Sequence, residues 1–213
     1  MPYFARSEKD SKRFQTILEH AQGVAEYSVS NSVSFASAFT VEVMGALHDI
    51  GKYTPQFQRK IKGEAALRTQ HSIAGAAVCE NLFQETGNWL YRLLGYAIAG
   101  HHSGLTDWGA GHGSGRDLCE RLAHVKDDIG DYSPWKTELT LPVLSEADDL
   151  LGLSKLETGK GFACMAYTRF LFSALADADR TDAQCWEDEE TVGRAKEHSS
   201  ITEMEQILAE DRS

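Results

Sequence analysis

Apolar side chains recur at three- and four-residue spacing along most of this chain, the period of an α-helix with one buried face. From Ser11 to about Tyr27 the apolar positions are Phe14, Ile17, Leu18, Ala21 and Val24, which predicts an amphipathic helix with His20 near its apolar side. A second helix is expected from about Ala38 to Ile50, with Gly51 as its stop. Thr54-Pro55 reads as an N-cap followed by proline at the first helical position, opening a short helix through Ile61 that Gly63 ends. Ser72 to Glu85 is alanine-rich and closed by Gly87, after which Asn88 caps a helix running through Ala99. Further helices are predicted over Ser114 to Val125, Leu141 to Leu151 and Gly161 to Ala178, and a last acidic one from about Glu189 to Glu210. No segment sustains the period-two alternation of a strand, so the expected fold is all-α, without significant sheet.

Length and composition narrow the picture. A chain of 213 residues, 42% apolar and 25% charged, is read as one globular helical domain. Its core is expected over about 11–182, and 183–213 forms an acidic C-terminal extension. No apolar run is long enough to span a bilayer, and the first residues lack the apolar core of a signal peptide. Cys79, Cys119, Cys164 and Cys185 are far apart and form no Cys-x-x-Cys pair, so they are expected to be reduced thiols of a cytoplasmic protein. The net charge of −11 disfavours a domain that grips a polyanion by itself. If DNA is the substrate, something else must deliver it.

The candidate chemistry lies in the histidines. His48 and Asp49 are adjacent in Ala46-Leu47-His48-Asp49-Ile50-Gly51-Lys52, placing a nitrogen and an oxygen ligand at one point of the backbone. Consecutive helical residues point about 100° apart, so His48 can ligate one ion while Asp49 bridges to a second. Two ions about 3.5–4 Å apart can hold an attacking hydroxide and the phosphoryl oxygens of an in-line hydrolysis. Nitrogen-rich ligation favours Mn²⁺, Fe²⁺, Co²⁺ or Ni²⁺ over Mg²⁺, which prefers all-oxygen shells. His20 upstream, His71 at the opening of a later helix and the doublet His101-His102 are the further candidates, while His112, His124 and His198 are read as surface residues. The glycine-rich stretch after His102 carries Trp108, which could stack on a base or pin the loop to the core.

The order His20, His48-Asp49, His71, His101-His102, then an Asp in a late helix resembles the HD-domain nuclease of the CRISPR-associated type I effector helicase–nuclease, within the HD phosphohydrolases. Ser173-Ala174-Leu175-Ala176-Asp177-Ala178-Asp179-Arg180 looks like that family's closing motif. The resemblance implies an all-α HD-type domain and metal-dependent cleavage of single-stranded DNA in CRISPR interference, with an RNA-guided effector complex. By the same resemblance His20, His48, Asp49 and Asp177 would hold one ion, and Asp49, His71, His101 and His102 the other. Asp49 and Lys52 would serve the reaction, Lys52 by offsetting phosphate charge. Of the two acids in the closing motif, Asp177 occupies the Leu-Ala-Asp position and Asp179 is the alternative. The ATP-driven helicase that usually accompanies this family, fused or separate, has no counterpart here. Gly159-Lys160-Gly161 lacks the hydroxyl of a phosphate loop, and the acidic tail is a possible connection toward such a partner. Two other readings remain open: a phosphohydrolase of nucleotides or cyclic nucleotides, and a non-catalytic helical docking module with a vestigial metal site.

Overall fold

The computed structural model describes residues 2–7, 13–64, 70–109 and 117–187. Two short strands, β1 (Phe4–Ser7) and β2 (Phe14–Thr16), pair antiparallel and lead into α1 (Ile17–Ser32). Helices α2 (Ala38–Leu47), α3 (Pro55–Ile61), α4 (Ser72–Thr86) and α5 (Trp89–Gly100) follow. The short α6 (Leu118–Ala123), α7 (Val125–Ile129) and α8 (Trp135–Glu138) precede the long α9 (Lys160–Glu187). The fold is thus helical, with one small sheet among the described residues.

The first helix begins at Ile17 and not near Ser11, because Thr16 and Glu19 form a reciprocal capping box. The Glu19 amide donates to the Thr16 hydroxyl at 3.1 Å, and the Thr16 amide donates to the Glu19 carboxylate at 2.9 Å. Phe14, read as the first apolar position of that helix, belongs to β2 instead. Strands of three and four residues are too short to display an alternation pattern.

The expected helix over Leu141 to Leu151 is absent. Here Ser145 and Asp148 cap each other around a single 3-10 turn, Glu146–Asp148, and Ser37 donates to Asp148 at 2.7 Å. Such side-chain bonds to nearby backbone compete with the helical ladder, and the Tyr91 hydroxyl takes the Leu144 amide at 3.0 Å. The α3, α4 and α5 boundaries fall where capping residues placed them: Thr54 and Asn88 accept N-terminal amides, and Gly87 ends α4 in the left-handed conformation. The helix expected over Ser114 to Val125 is divided at His124, and its first residues lie outside those described, as do the acidic 189–210 segment, His112 and His198.

Packing puts α1 against α2 and α9, α4 against α5, and α5 against α9. The centre is fully buried aliphatic material, including Val24, Val41, Met44, Leu47, Leu94, Ile98, Leu171 and Leu175. One contact joins two distant stretches of chain directly. A Cβ on Gly51 would lie 2.2 Å from the His71 carbonyl oxygen and 2.6 Å from its Cα. Only glycine lets these backbones touch, and the touch brings the turn after α2 to the residue before α4. No helix of the described residues is long and apolar enough to cross a membrane.

Candidate metal centre

Five stretches of chain converge at one end of this core. His20 is on α1, His48 and Asp49 are in the turn after α2, and His71 immediately precedes α4. His101 and His102 follow α5, and Asp179 is on α9. Two donor groups result, each with ligand atoms within 4.8 Å of one another: His20, His48, Asp49 and Asp179, and then Asp49, His71, His101 and His102. Asp49 is common to both. His48 and Asp49 diverge because they sit in a turn, not because consecutive helical residues do so.

The two oxygens of Asp49 are divided between the groups. Oδ2 lies 3.1 Å from His20 Nε2 and 3.3 Å from His48 Nε2, while Oδ1 lies 3.2 Å from His71 Nε2 and 3.6 Å from His101 Nε2. Lys52 Nζ is also on Oδ2, at 2.5 Å. Asp49 is 2% exposed, and its Oδ1 has no hydrogen-bond partner among the described residues.

Both histidines that end helices are fixed by the same device. The His48 Nδ1–H donates to the Gly45 carbonyl and the His101 Nδ1–H to the Ile98 carbonyl, each at 2.7 Å and three residues back. These carbonyls are left over in the last turn of a helix. Accepting from Nδ1 selects the tautomer whose Nε2 lone pair points inward. His101 Nε2 is then a buried acceptor without a donor, facing the equally unsatisfied Oδ1 of Asp49. A cation placed between these two buried acceptors would satisfy both. His71 Nε2 and His102 Nε2, 2.8 Å apart, complete that group.

His20 is oriented by a carboxylate. Its Nδ1 lies 2.6 Å from Asp182 Oδ2, which Gln15 also holds at 2.9 Å, leaving Nε2 toward Asp49 and, at 3.3 Å, Asp179. Asp182 fits there because Gly23 has no side chain: a Cβ on Gly23 would fall 2.0 Å from Asp182 Oδ1. Arg6 Nη2, from β1, lies 3.1 and 3.3 Å from the two ring nitrogens of His20, and 3.6 Å from Asp179. Nearly equal distances to both nitrogens put the guanidinium over the ring face.

The charges suit ligation. Burial opposes ionisation of Asp49, yet Lys52, His48 and His71 together hold it well below the usual carboxylate range. Asp179 is likewise held low, His20 and His48 outweighing its burial. Burial lowers His48, and burial together with His101 lowers His102 to about 4, so both rings stay neutral. His20 differs: burial pulls it down, but Asp179, Asp182 and Asp49 prevail and raise it to about 9.

Of the residues expected at the site, His20, His48, Asp49, Lys52, His71, His101 and His102 are brought together. Asp177 is not. It is exposed and accepts from Asn31 Nδ2 at 2.9 Å, and Asp179 stands in the cluster in its place. The reason is rotation. With Leu175 in the core, Asp177 lies about 200° around the helix, whereas Asp179 is about 40° away. Asp182 and Arg6 were not foreseen; Asp182 continues the same stripe as Leu175 and Asp179, and Arg6 gave no signal. His124 is exposed, as expected. Trp108 is part-buried and packs its loop against the core, with Arg92 4.8 Å and Tyr96 5.9 Å from its ring.

A family model described as Cas3, HD domain matches residues 15–141. No curated protein matches the chain.

Proposed function

This chain belongs to the Cas3 HD-domain family, metal-dependent nucleases of CRISPR systems, and from that premise we propose that it hydrolyses the phosphodiester bonds of single-stranded DNA, fed by an ATP-driven helicase, fused or separate, and by the RNA-guided complex. His20, His48, Asp49 and Asp179 would hold one divalent ion, and Asp49, His71, His101 and His102 a second. The observation that carries the reading is the division of the Asp49 oxygens between two otherwise separate donor groups. Five imidazoles favour Mn²⁺, Fe²⁺, Co²⁺ or Ni²⁺ over Mg²⁺.

When bound, two such ions would supply a hydroxide at neutral pH and offset charge on the phosphoryl group. The protein's own part is orientation. Gly45 and Ile98 carbonyls keep the His48 and His101 lone pairs inward, and Asp182 holds the His20 ring in register. Lys52 offsets the charge of Asp49, and would offset that of a phosphate brought beside it. His102 is exposed and His71 and Asp179 are part-exposed, so the donors open onto the surface. An open rim suits a strand laid across it; a nucleotide phosphohydrolase would need an enclosing wall that reads the base. The cavity of about 820 Å³ between α1, α2 and the 138–142 segment is lined by none of the donors.

The test is metal content and cleavage together. Protein loaded with Mn²⁺, Co²⁺ or Ni²⁺ should bind two ions per chain and cut circular single-stranded DNA, and Asp49→Ala should lose both ions and all cutting. Phosphate release from nucleotides with no cutting of DNA would replace the nuclease reading by the phosphohydrolase one. Failure to bind any transition ion would leave a docking module with a vestigial site.

A further inference from the structure

Deepening the nuclease reading, on which it rests, we propose that the solvent face of α3, carrying Arg59 and Lys60, is the approach along which the phosphates of a single strand reach the donor cluster.

The chain carries a net charge of −11, so a polyanion is repelled by much of its surface and its path is set by the exceptions. Arg59 and Lys60 stand in the last turn of α3, both exposed and without a carboxylate partner among the described residues. Lys62, the C-cap of the same helix, is exposed as well, whereas three other cations are committed. Arg6 is held by Asp179 and Asp182, Lys52 by Asp49, and Arg92 by Glu80.

The position of α3 gives the free pair its meaning. Phe57 and Lys60 are three residues apart and share one side of the helix. The Phe57 ring is buried with its centroid 5.4 Å from that of His71. Lys60 Nζ, on an exposed side chain, lies 5.9 Å from the centroid of the same ring, and Lys52 Nζ lies 5.6 Å from it. A single aromatic ring is therefore neighbour to both the Lys60 ammonium and the His71 imidazole. The helix is held rigidly, since Gln58 donates to the carbonyls of Phe4 and Lys52 and accepts from the Phe4 amide. The chemistry recognised is a phosphodiester backbone, because both side chains are cations that pair with phosphate oxygens, Arg59 with a planar fork that matches phosphate geometry.

The experiment uses the full chain with Arg59→Ala/Lys60→Ala and, separately, Arg59→Glu/Lys60→Glu. Binding of a fluorescent oligothymidylate is measured by anisotropy on metal-free protein across a salt series, and hydrolysis of oligonucleotide and of bis(4-nitrophenyl) phosphate on metal-loaded protein. Each phosphate contact on a single strand contributes about 0.7 to the slope of log K against log salt, so the double alanine variant should lose about 1.4. At 0.1 M salt this corresponds to weakening by roughly tenfold or more. The glutamate variant should weaken further, and the oligonucleotide KM should rise while hydrolysis of the small diester and metal content stay unchanged.

An unchanged salt slope and KM would overturn the proposal, leaving the two cations as stabilisers of the α3 C-terminus. Equal loss of activity on both substrates would also overturn it, because the damage would then lie in the metal site. If the wild-type protein hydrolyses the small diester but cuts no oligonucleotide, the nuclease reading fails, and the metal-free salt slope still decides whether α3 binds phosphates.

Discussion

Without metal, the stability of this protein should carry a pH signature from one buried ring. His20 is fully buried; burial works against its charged form, but Asp179, Asp182 and Asp49 outweigh it and raise the ring to about 9. In an unfolded chain a histidine titrates at about 6.5. A group whose folded pKa is raised stabilises the fold in full below its unfolded value, and that contribution is lost as the pH rises through the folded value. The window is therefore pH 6.5 to 9. A gap of about 2.5 in pKa, at about 1.36 kcal/mol each, gives about 3 kcal/mol. That is a large part of a typical total of about 5–15 kcal/mol. His48 and His102 are lowered, so their titrations fall below this window, and the carboxylates of Asp49 and Asp179 stay ionised throughout it.

The assay is urea unfolding in a chelator from pH 6.5 to 9.5, for the wild type and His20→Gln in parallel. Subtracting the variant removes the titration of cysteines, tyrosines and the unfolded chain at large. The wild-type advantage should shrink by about 3 kcal/mol across the window. With metal bound the shrinkage should disappear, because ligation holds the ring neutral at every pH in the range. A wild-type advantage that is constant, or grows with pH, in the metal-free protein would refute the reasoning.

Two substitutions test the geometry in other ways. Asp179→Asn should remove an ion from the group containing His20 and His48, whereas Asp177→Asn, which loses only a surface contact to Asn31, should leave metal content unchanged by elemental analysis. Gly51→Ala forces a Cβ to within 2.2 Å of the His71 carbonyl, and since both partners are backbone it should cost about 1–3 kcal/mol or more by thermal or chemical unfolding. Metal affinity at the His71 side should fall with it, while Gly161→Ala, with nothing within 4 Å of its Cβ, should do neither.

The sequence alone carried the helical class, the bounds of α3, α4 and α5 to within a residue or so, and six of the seven residues expected as ligands that the structure brings into one cluster. Boundaries were legible at Thr54-Pro55, Gly87 and Asn88, where a single residue's side chain or backbone decides the matter. The Thr16–Glu19 capping box was equally readable and would have set the start of α1. Asp179 was recoverable too: taking Leu171 and Leu175 as core turns Asp179 and Asp182 inward and Asp177 out. What only the tertiary structure decided is the convergence. That Asp49 has one oxygen for each donor group depends on a turn tightened against the His71 backbone. That Arg6 covers His20 depends on a strand too short to leave a pattern. Spacing along a chain reports which face of an element a residue occupies, but which faces meet is set by packing, and a shared ligand is a property of the meeting.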